Sequence, residues 1–386
     1  MKTIHYISPS IFPSKSANSV HVIHQCSALS NQNIILYLYG ASNFKCRSFK
    51  KKLETSYGVN LKKVNLILIK PIFKKAINMQ IAIYAFFRIF FNAFNKDHII
   101  FTRNLYGALI FNFLLKKEIL FETHQIENGL NGYLQKKLLI SKKTTAILIT
   151  RQLKSILEEH FSIRINKFNI FSDAAPSNIV PIKSKSKKIS IINENINYDS
   201  KFKHICGYFG HLYEGRGIEI IIELSRKIDD VLFLVYGGNE DDVERLKQKY
   251  SNKNLMFMGY IENSMARKMM LSVDILLMPY QREVSIGLKG HDTARWMSPM
   301  KMFEYMATKN PIISSNLTAL QEVLVNGENA ILVQCDNVLD WENAIKNIIL
   351  DKELSDKISN NAYFDYKEKY NWDIRAKKII DVINNK

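Results

Sequence analysis

The chain has 386 residues, of which 47% are hydrophobic, so it can bury two sizeable cores and its composition excludes a disordered protein. Its formal net charge of +18 is unevenly distributed: residues 1–190 carry 29 Lys and Arg against 8 Asp and Glu, a balance of +21, whereas the remainder has 25 against 28. This asymmetry predicts a polyanionic partner for the first half, namely an anionic membrane surface, a lipid diphosphate or a nucleic acid.

The N-terminal sequence and the spacing of the cysteines indicate the cellular compartment. The first residues, Met1-Lys-Thr-Ile-His-Tyr-Ile-Ser-Pro-Ser, lead into a strand and lack the unbroken apolar run of a signal peptide. The four cysteines have no paired spacing, which is typical of a reducing compartment and argues against structural zinc. They are Cys26, Cys46, Cys206 and Cys335. We therefore expect a cytoplasmic protein.

Short apolar strands alternate with helical stretches along the first half, which is the pattern of a parallel sheet built from βαβ units. The predicted strands are Thr3–Ile7, Ile34–Tyr39, Val64–Ile69, His98–Thr102, Glu118–Glu122, Ala146–Ile149 and Lys167–Phe171. The helical stretches include Val20–Ser30 and Ser155–Phe161.

The run from Ile81 to Phe94 is the most apolar and aromatic-rich part of the chain. It is too short to span a bilayer and contains Arg88. Lysines flank the run, as an interfacial helix would require, but a core helix of the first domain is the preferred interpretation. Lys50-Lys-Lys and Lys62-Lys are better candidates for a lipid-facing charge.

The polar segment Pro176–Ser200, rich in Lys, Ser and Asn, predicts an interdomain linker, and a second set of strands follows it. These strands are His204–Gly207, Val231–Tyr236, Leu255–Met258, Ile275–Met278, Pro311–Ser314 and Ala330–Val333. Each half is then expected to form a doubly wound sheet, which binds ligands beyond the carboxyl ends of its strands.

A glycine-rich turn joins the first strand of the second half to a helix. The segment Ile205-Cys-Gly-Tyr-Phe-Gly-His-Leu-Tyr-Glu-Gly-Arg-Gly contains four glycines that would allow a ligand to approach the backbone closely. Arg216 within it can make paired hydrogen bonds to a phosphate. Many α/β units have such a turn, so this signal is weak when taken alone.

A predicted helix start strengthens that signal. In Ser298-Pro-Met-Lys-Met-Phe-Glu-Tyr-Met-Ala, Ser298 is a good N-cap and Pro299 suits the first helical position. The unpaired amides of a helix start form a phosphate site. Lys301 adds a cation and Glu304 a carboxylate that could bind sugar hydroxyls, a combination that suits a nucleotide diphosphate sugar.

With these motifs the chain resembles family 4 of the retaining glycosyltransferases. Matching segments occur in the family's order along nearly the whole length. They are Tyr6-Ile-Ser-Pro-Ser, Ala17-Asn-Ser-Val-His, Phe121-Glu-Thr-His, Asn169-Ile-Phe-Ser-Asp-Ala, Gly210-His-Leu-Tyr-Glu-Gly-Arg-Gly, Asn254-Leu-Met-Phe-Met-Gly-Tyr, Val273-Asp-Ile-Leu-Leu-Met-Pro-Tyr and Ser298-Pro-Met-Lys-Met-Phe-Glu-Tyr-Met-Ala.

The resemblance implies the GT-B fold, in which two doubly wound Rossmann-like domains face a central cleft. The expected boundaries are 1–190 for an acceptor-side domain and 191–365 for a nucleotide-sugar domain. In resembling proteins the C-terminal helix, here about 366–386, packs back on the first domain.

The resemblance also implies a donor site in the second domain. The residues that match it are Gly210, His211, Arg216, Ser298, Lys301 and Glu304. Glu304 matches the last Glu of the family's Glu-x7-Glu motif, which binds the donor ribose. Position 296 has Trp where the first Glu is expected, and Asp292 is a nearby substitute. His211 replaces a basic residue of the family, which leaves Arg216 as the better phosphate ligand.

In the first domain the resemblance places a histidine against the donor sugar and the acceptor, and His124 matches it. A histidine at a strand's carboxyl end could bond a sugar hydroxyl or carry a proton. His124 and Glu304 are the expected catalytic residues. Substrate contacts are expected from Asn18, Ser19, His21 and Glu122.

The sequence therefore predicts a retaining hexosyltransferase that uses a UDP- or GDP-linked sugar and a lipid-linked saccharide acceptor in the biosynthesis of O-antigen or capsule. Asp-x-Asp does not occur in the chain, so we expect no metal and no other cofactor. An anionic membrane surface at the inner face of the plasma membrane is the expected partner. The alternatives are a sugar-nucleotide epimerase of similar fold and a nucleic-acid-binding protein, although no nucleic-acid-binding signature accompanies the charge.

Overall fold

The protein divides into two compact units in a computed structural model that describes residues 1–43, 49–196, 201–285 and 292–385. Unit 1 comprises Met1–Asp173 together with Trp372–Lys386, and unit 2 comprises Ala174–Asn371. The charge asymmetry follows this division. Unit 1 has 29 Lys and Arg against 10 Asp and Glu, a balance of +19, whereas unit 2 has 25 against 26.

Unit 1 contains a parallel sheet of seven strands in the order β3-β2-β1-β4-β5-β6-β7. The strands are β1 (Thr3–Phe12), β2 (Ile35–Ser42), β3 (Val64–Ile69), β4 (His98–Thr102), β5 (Ile119–Thr123), β6 (Thr144–Leu148) and β7 (Phe168–Ile170). Strand order reverses between β1 and β4, and this reversal marks the edge where such sheets bind ligands. Strands β5 and β6 are buried throughout, which explains their near-continuous apolar sequences.

In the described part of unit 1, seven α-helices flank this sheet. They are α1 (Ala17–Ser30), α2 (Phe49–Tyr57), α3 (Ile77–Ile89), α4 (Leu105–Leu109), α5 (Gly129–Ile140), α6 (Arg151–Phe161) and α14 (Trp372–Asn384). Helices α1 and α2 connect strands in the direction from β1 to β3, whereas the helices from α3 to α6 connect strands in the direction towards β7. Because such crossovers are right-handed, the two groups lie on opposite faces of the sheet. Helix α14 packs on α1, whereas α3 packs on α4 and α4 on α5. These last three helices therefore form one layer.

Unit 2 contains a parallel sheet of six strands in the order β10-β9-β8-β11-β12-β13. They are β8 (His204–Phe209), β9 (Val231–Tyr236), β10 (Leu255–Gly259), β11 (Ile275–Met278), β12 (Ile312–Ser315) and β13 (Ile331–Val333). The helices of the unit are α7 (Lys185–Asn193), α8 (Ile218–Lys227), α9 (Glu240–Lys249), α10 (Asn263–Met270), α11 (Met300–Thr308), α12 (Val338–Leu350) and α13 (Lys352–Lys369). One apolar core lies on each face of the sheet. Two Rossmann-like parallel sheets were predicted, and both are present.

The segment 176–200, which was expected to be an interdomain linker, is not a separate linker in its described part. Its described part belongs to unit 2, because Ile191 and Ile192 of α7 are buried in that core. Residues 197–200 lie outside the described part. Near the C-terminus the expected continuous helix is divided: α13 ends before Tyr370 and α14 begins at Trp372. Only α14 belongs to unit 1.

Candidate functional site

Unit 1 gathers polar side chains at the carboxyl edge of its sheet. Glu122 lies near the end of β5 and His124 directly follows that strand. His21 is on α1, which follows β1, and Asp173 comes after β7. Because carboxyl ends of parallel strands share one edge, these residues meet although they are far apart in sequence.

Glu122 is the centre of this cluster, and its carboxylate is fully buried. Its Oε1 atom lies 2.8 Å from His124 Nε2, 2.7 Å from Arg375 Nη2 and 3.0 Å from His21 Nε2. Gln25 Nε2 donates a hydrogen bond of 3.3 Å to the other oxygen. A buried carboxylate is stable only when it is paired and hydrogen-bonded, and these contacts satisfy that requirement.

His21 joins Glu122 to a second buried carboxylate. Its Nδ1 atom lies 2.7 Å from Asp173 Oδ1, and the ring meets the Trp372 ring edge-to-face with centroids 4.9 Å apart. The 3.0 Å separation from Glu122 is within ion-pair distance, but Nε2 is not aligned for a hydrogen bond. We take this contact as electrostatic, because the Asp173 bond already fixes the ring.

Protonation in the cluster follows from these contacts. Burial alone would raise the pKa of Glu122, but Arg375 and His21 outweigh it and hold that pKa well below its usual range. Burial, and then Arg103, lowers the pKa of His124 to about 4, against the opposing effect of the Glu122 bond. His124 is therefore neutral at pH 7, and its Nε2–H donates to Glu122.

The ligand atoms of His21, Glu122 and His124 all lie within 4.8 Å of one another, a spacing at which a metal ion could be held. Arg375 nevertheless occupies Glu122 Oε1 at 2.7 Å and has a side chain only 3% exposed. A divalent cation would be placed beside this fixed guanidinium, where like charges repel. The cluster does not fit a metal.

The two other residues expected to contact substrate begin α1. Asn18 Nδ2 donates a 2.8 Å hydrogen bond to Ser10 Oγ. Ser19 is buried, and its Oγ donates to the Ile11 carbonyl at 3.4 Å. Both side chains thus hold the end of β1 against α1, whereas His21 and Glu122 lie together in the cluster.

No functional role was predicted for Asp173, Gln25, Arg375 or Trp372. Asp173 lay inside a segment that carried the family resemblance, so its position was a usable signal. Arg375 had no local signal, because it is separated from Glu122 by 253 positions and reaches it only through the return of α14 to unit 1.

In unit 2 the glycine-rich turn between β8 and α8 packs against the chain that follows β11. A Cβ on Gly215 would lie 1.8 Å from the Glu283 carbonyl oxygen, and one on Gly217 would lie 1.7 Å from that of Pro279. Both glycines have positive φ. They are required by this close backbone packing, whereas the sequence had suggested that they admit a ligand.

Arg216 projects from this turn. It donates to Tyr280 Oη at 3.1 Å and to the Ser285 carbonyl at 3.0 Å, which fixes the orientation of the guanidinium. Its Nε atom is buried and has no hydrogen-bond partner within the described ranges. A guanidinium held in this way can donate hydrogen bonds to an anion without reorganising.

Lys301 supplies a second cation from the first turn of α11. Its Nζ atom is buried, has no hydrogen-bond partner among the described residues, and lies over the rings of Tyr208 at 4.0 Å and Tyr280 at 4.5 Å. Arg216 also stacks on Tyr280, at 5.1 Å. Burial, and then Arg216, holds the pKa of Lys301 well below its usual range. In the part of the chain that is described, neither cation is paired with a carboxylate.

The structure starts α11 one residue later than expected. Pro299 occupies the cap position with extended backbone (ψ 123°) and makes no side-chain cap bond, so the expectation that Ser298 is the N-cap is corrected. Ser298 is buried before this start. Nearby, a Cβ on Gly210 would lie 3.3 Å from Lys301 Nζ.

His211 follows Gly210 and stacks on Tyr213 with ring centroids 4.7 Å apart. Burial, and then Arg216 and Lys301, lowers the pKa of His211. We therefore expect this ring to be neutral, which leaves Arg216 and Lys301 as the candidate phosphate-binding groups.

The two carboxylates considered for the donor ribose already have partners. Glu304 Oε1 lies 3.4 Å from Arg267 Nη1. Burial raises the pKa of Glu304 in spite of Arg267. Asp292 accepts the backbone amides of Val284 and Ala294, both at 2.8 Å, so it supports the loop before α11.

Residues 203–351 match the family model described as glycosyl transferases group 1. The matched stretch lies wholly within unit 2, which is therefore similar to group 1 glycosyltransferases. It contains Arg216, Lys301 and Glu304, together with all six strands of the sheet of unit 2.

The chain is also similar to whole proteins. It is 24% identical over 317 residues to an uncharacterised glycosyltransferase of Methanocaldococcus jannaschii, covering 74% of this chain and 75% of that one. Among solved structures, HepE of Anabaena in complex with UDP and glucose has a TM-score of 0.72 at 13% identity, with complete coverage of both chains. WaaG, a glycosyltransferase involved in lipopolysaccharide biosynthesis, has a TM-score of 0.65 at 11% identity, covering 99% of this chain and all of that one. The predicted GT-B fold is therefore confirmed.

Proposed function

We propose that the protein is a retaining glycosyltransferase that transfers a hexose-type sugar from a nucleotide diphosphate sugar to a saccharide acceptor. The observation that carries this proposal is the pair formed by Arg216 and Lys301, two oriented basic side chains with no carboxylate partner in the described chain. Burying such a pair without a counter-ion is unfavourable, and a ligand with two negative charges favours the protonated form of both groups. The diphosphate of the donor is such a ligand.

Arg216 and Lys301 would bind the diphosphate and stabilise the charge that develops on it as the glycosidic bond breaks. The start of α11 adds amides without a side-chain cap. Glu304 would bind the ribose hydroxyls while it remains close to Arg267. HepE is described in complex with UDP and UDP-glucose, which favours uridine as the base.

We infer that the reaction requires no metal. Two fixed cations can replace a bound metal as the electrophile for the leaving group. In unit 1 the carboxylate of the cluster with metal-ligand spacing, Glu122, is already paired with Arg375. The pair Arg216 and Lys301 in unit 2 and the Glu122 cluster in unit 1 therefore have no excess of negative charge that a divalent ion would neutralise.

Unit 1 would supply the acceptor site through His124, with Asn18, Ser19, His21 and Glu122 forming its base. The balance of +19 in this unit supports a lipid-linked saccharide at an anionic membrane surface, as in the biosynthesis of a surface polysaccharide. WaaG, which shares the fold, is involved in lipopolysaccharide biosynthesis.

A donor panel tests the proposed function. Purified protein is screened by thermal shift with UDP, GDP, UDP-sugars and GDP-sugars, each with and without EDTA. We expect one nucleotide series to raise Tm equally in both conditions, and turnover of the selected donor to continue in EDTA. A shift that appears only with magnesium or manganese would contradict the metal-independent site, and no shift with any nucleotide would contradict the donor site itself.

The protonation of His124 gives a second test. Because its pKa is lowered to about 4, this ring should not titrate between pH 5.5 and 8. The pH profile of kcat/KM should therefore show no ionisation near pH 6.5 that belongs to His124 and is lost in His124→Gln. We expect this variant to lose roughly 10²–10⁴-fold in kcat, the usual contribution of a positioned proton donor or acceptor. His160→Gln, on the last turn of α6, is the control. Turnover of His124→Gln equal to that of this control would remove His124 from the mechanism.

A further inference from the structure

Helix α3 and the turn after it expose a row of large aromatic side chains. Phe87 is 70% exposed, Phe91 89% and Phe94 68%. Ile83 and Tyr84 continue the row on the same side of the helix. The expectation that this segment is a core helix therefore holds for one of its faces and not for the other.

The opposite face of α3 is packed on the sheet. Ile81, Ala82, Ala85 and Ile89 are buried, and α3 contacts β1 and β2. The helix is thus apolar on both sides. A helix that lies between a core and water normally has a polar outer face, so the outer face of α3 is adapted to an apolar environment.

Neighbouring elements of the same layer extend this surface. Helix α5 presents an outward stripe at i, i+3 and i+10, and the residues that end the helical turn after α4 are exposed as well. We call the whole set the apolar face. It consists of Ile72, Phe73, Met79, Ile83, Tyr84, Phe87, Phe91, Phe94, Phe113, Leu114, Leu130, Tyr133 and Ile140, all of them exposed.

Positive charges flank the apolar face. Between residues 70 and 97 the chain has five Lys and Arg and one acidic residue, Asp97. Lys75, Arg88 and Lys96 are exposed, and Lys137 Nζ lies 5.4 Å from the Tyr133 ring centroid. Aromatic and aliphatic side chains with basic neighbours are the composition of a surface that lies in the interface of an anionic bilayer.

We propose that the apolar face docks the protein on an anionic lipid bilayer, with Phe87, Phe91 and Phe94 entering the boundary between headgroups and acyl chains. None of the described helices is both long and apolar enough to cross a bilayer. A second copy of the chain is a poorer occupant, because two basic rims would face each other.

This docking surface differs from the one that charge alone predicted. Lys50, Lys51 and Lys52 belong to α2, which covers the other face of the sheet. Lys50 Nζ also donates to the carbonyls of Lys62 and Val64, both at 3.0 Å. The inference gives a location to the membrane partner of the proposed function, but vesicle binding needs neither donor nor turnover, so the two can fail separately.

Co-sedimentation with vesicles of phosphatidylglycerol and phosphatidylcholine tests the proposal. The triple variant Phe87→Ser, Phe91→Ser, Phe94→Ser should bind on the order of a hundredfold more weakly, since three aromatic groups no longer leave water. Binding by the wild type should weaken, but not vanish, as salt rises. The rise in Tm that nucleotide causes should be the same in the triple variant as in the wild type.

Matched controls make the result specific. The variant Leu339→Ser, Leu350→Ser, Phe364→Ser removes three large exposed apolar side chains from unit 2 and should bind vesicles as the wild type does. Vesicle binding by the Phe triple variant equal to that of the wild type would overturn the proposal. A complete loss of vesicle binding in the triple variant Lys50→Ala, Lys51→Ala, Lys52→Ala would overturn it as well. A wild type that is dimeric in solution and becomes monomeric in the Phe variant, without binding vesicles, would assign the face to self-association instead.

Discussion

Lys301→Met should make the ligand-free protein more stable and at the same time remove its response to the donor. The ammonium group is buried beside Arg216 without a counter-ion in the described chain, so its removal relieves desolvation and like-charge repulsion. We expect the free energy of unfolding to rise by about 1 kcal/mol or more. Transition-state stabilisation should fall by roughly 2–4 kcal/mol, which is the contribution of one contact to a developing anion.

Thermal and chemical unfolding, with and without UDP or GDP, measure both effects, and exposed Lys253→Met is the matched control. The pKa of Lys301 in the folded protein lies below its usual value, so the unfolded chain holds this proton more tightly. The stability difference between wild type and variant should therefore be fully present below the folded pKa and shrink as pH rises towards about 10.5. A destabilised variant, or one that turns over donor normally, would show that Lys301 is a structural lysine.

Glu122→Gln should destabilise unit 1 severely. The carboxylate neutralises Arg375, which is buried, and accepts bonds from His124 and Gln25. Removing one partner of a buried ion pair costs about 3–5 kcal/mol, because the other charge is left without compensation. Arg375→Met should have an effect of similar size, because it leaves the buried Glu122 carboxylate without its guanidinium partner.

Hydrogen exchange of the β5 amides reports on unit 1 without interference from unit 2, and Glu118→Gln, an exposed carboxylate on the same segment, is the control. The folded pKa of Glu122 is well below its usual value of about 4.5. Its contribution is therefore fully present above that value and is lost as pH falls through the folded pKa. Equal protection in Glu122→Gln and the control would mean that the cluster contributes little to stability.

Local patterns in the sequence were sufficient for the architecture. The strands Val64–Ile69, His98–Thr102, Val231–Tyr236 and Ile275–Met278 were predicted with the bounds that the structure has. Buried parallel strands have continuous apolar sequences and are bounded by polar turns, so the signal is local and strong. Placement of Glu122 and His124 at a strand's carboxyl end followed directly from that reading.

Helix boundaries and helix surfaces were less predictable. The start of α11 differs by one residue because a proline with extended backbone can occupy the cap position as well as the first helical position. Helix α3 has apolar residues all around, and such a sequence does not distinguish a buried helix from one with an exposed apolar face. The number of neighbours available to cover α3 is decided by the packing of unit 1.

Two parallel α/β sheets, the glycine-rich turn with Arg216 and the basic character of the first half could all be predicted from local patterns in the sequence. Which charges are compensated depends on the folded structure. Arg375 reaches Glu122 from the far end of the chain, whereas Arg216 and Lys301 come together over Tyr280 without a carboxylate in the described residues. The reason is physical: propensity and periodicity act over a few residues, but the energy of a charge depends on burial and on partners that folding brings from anywhere in the chain.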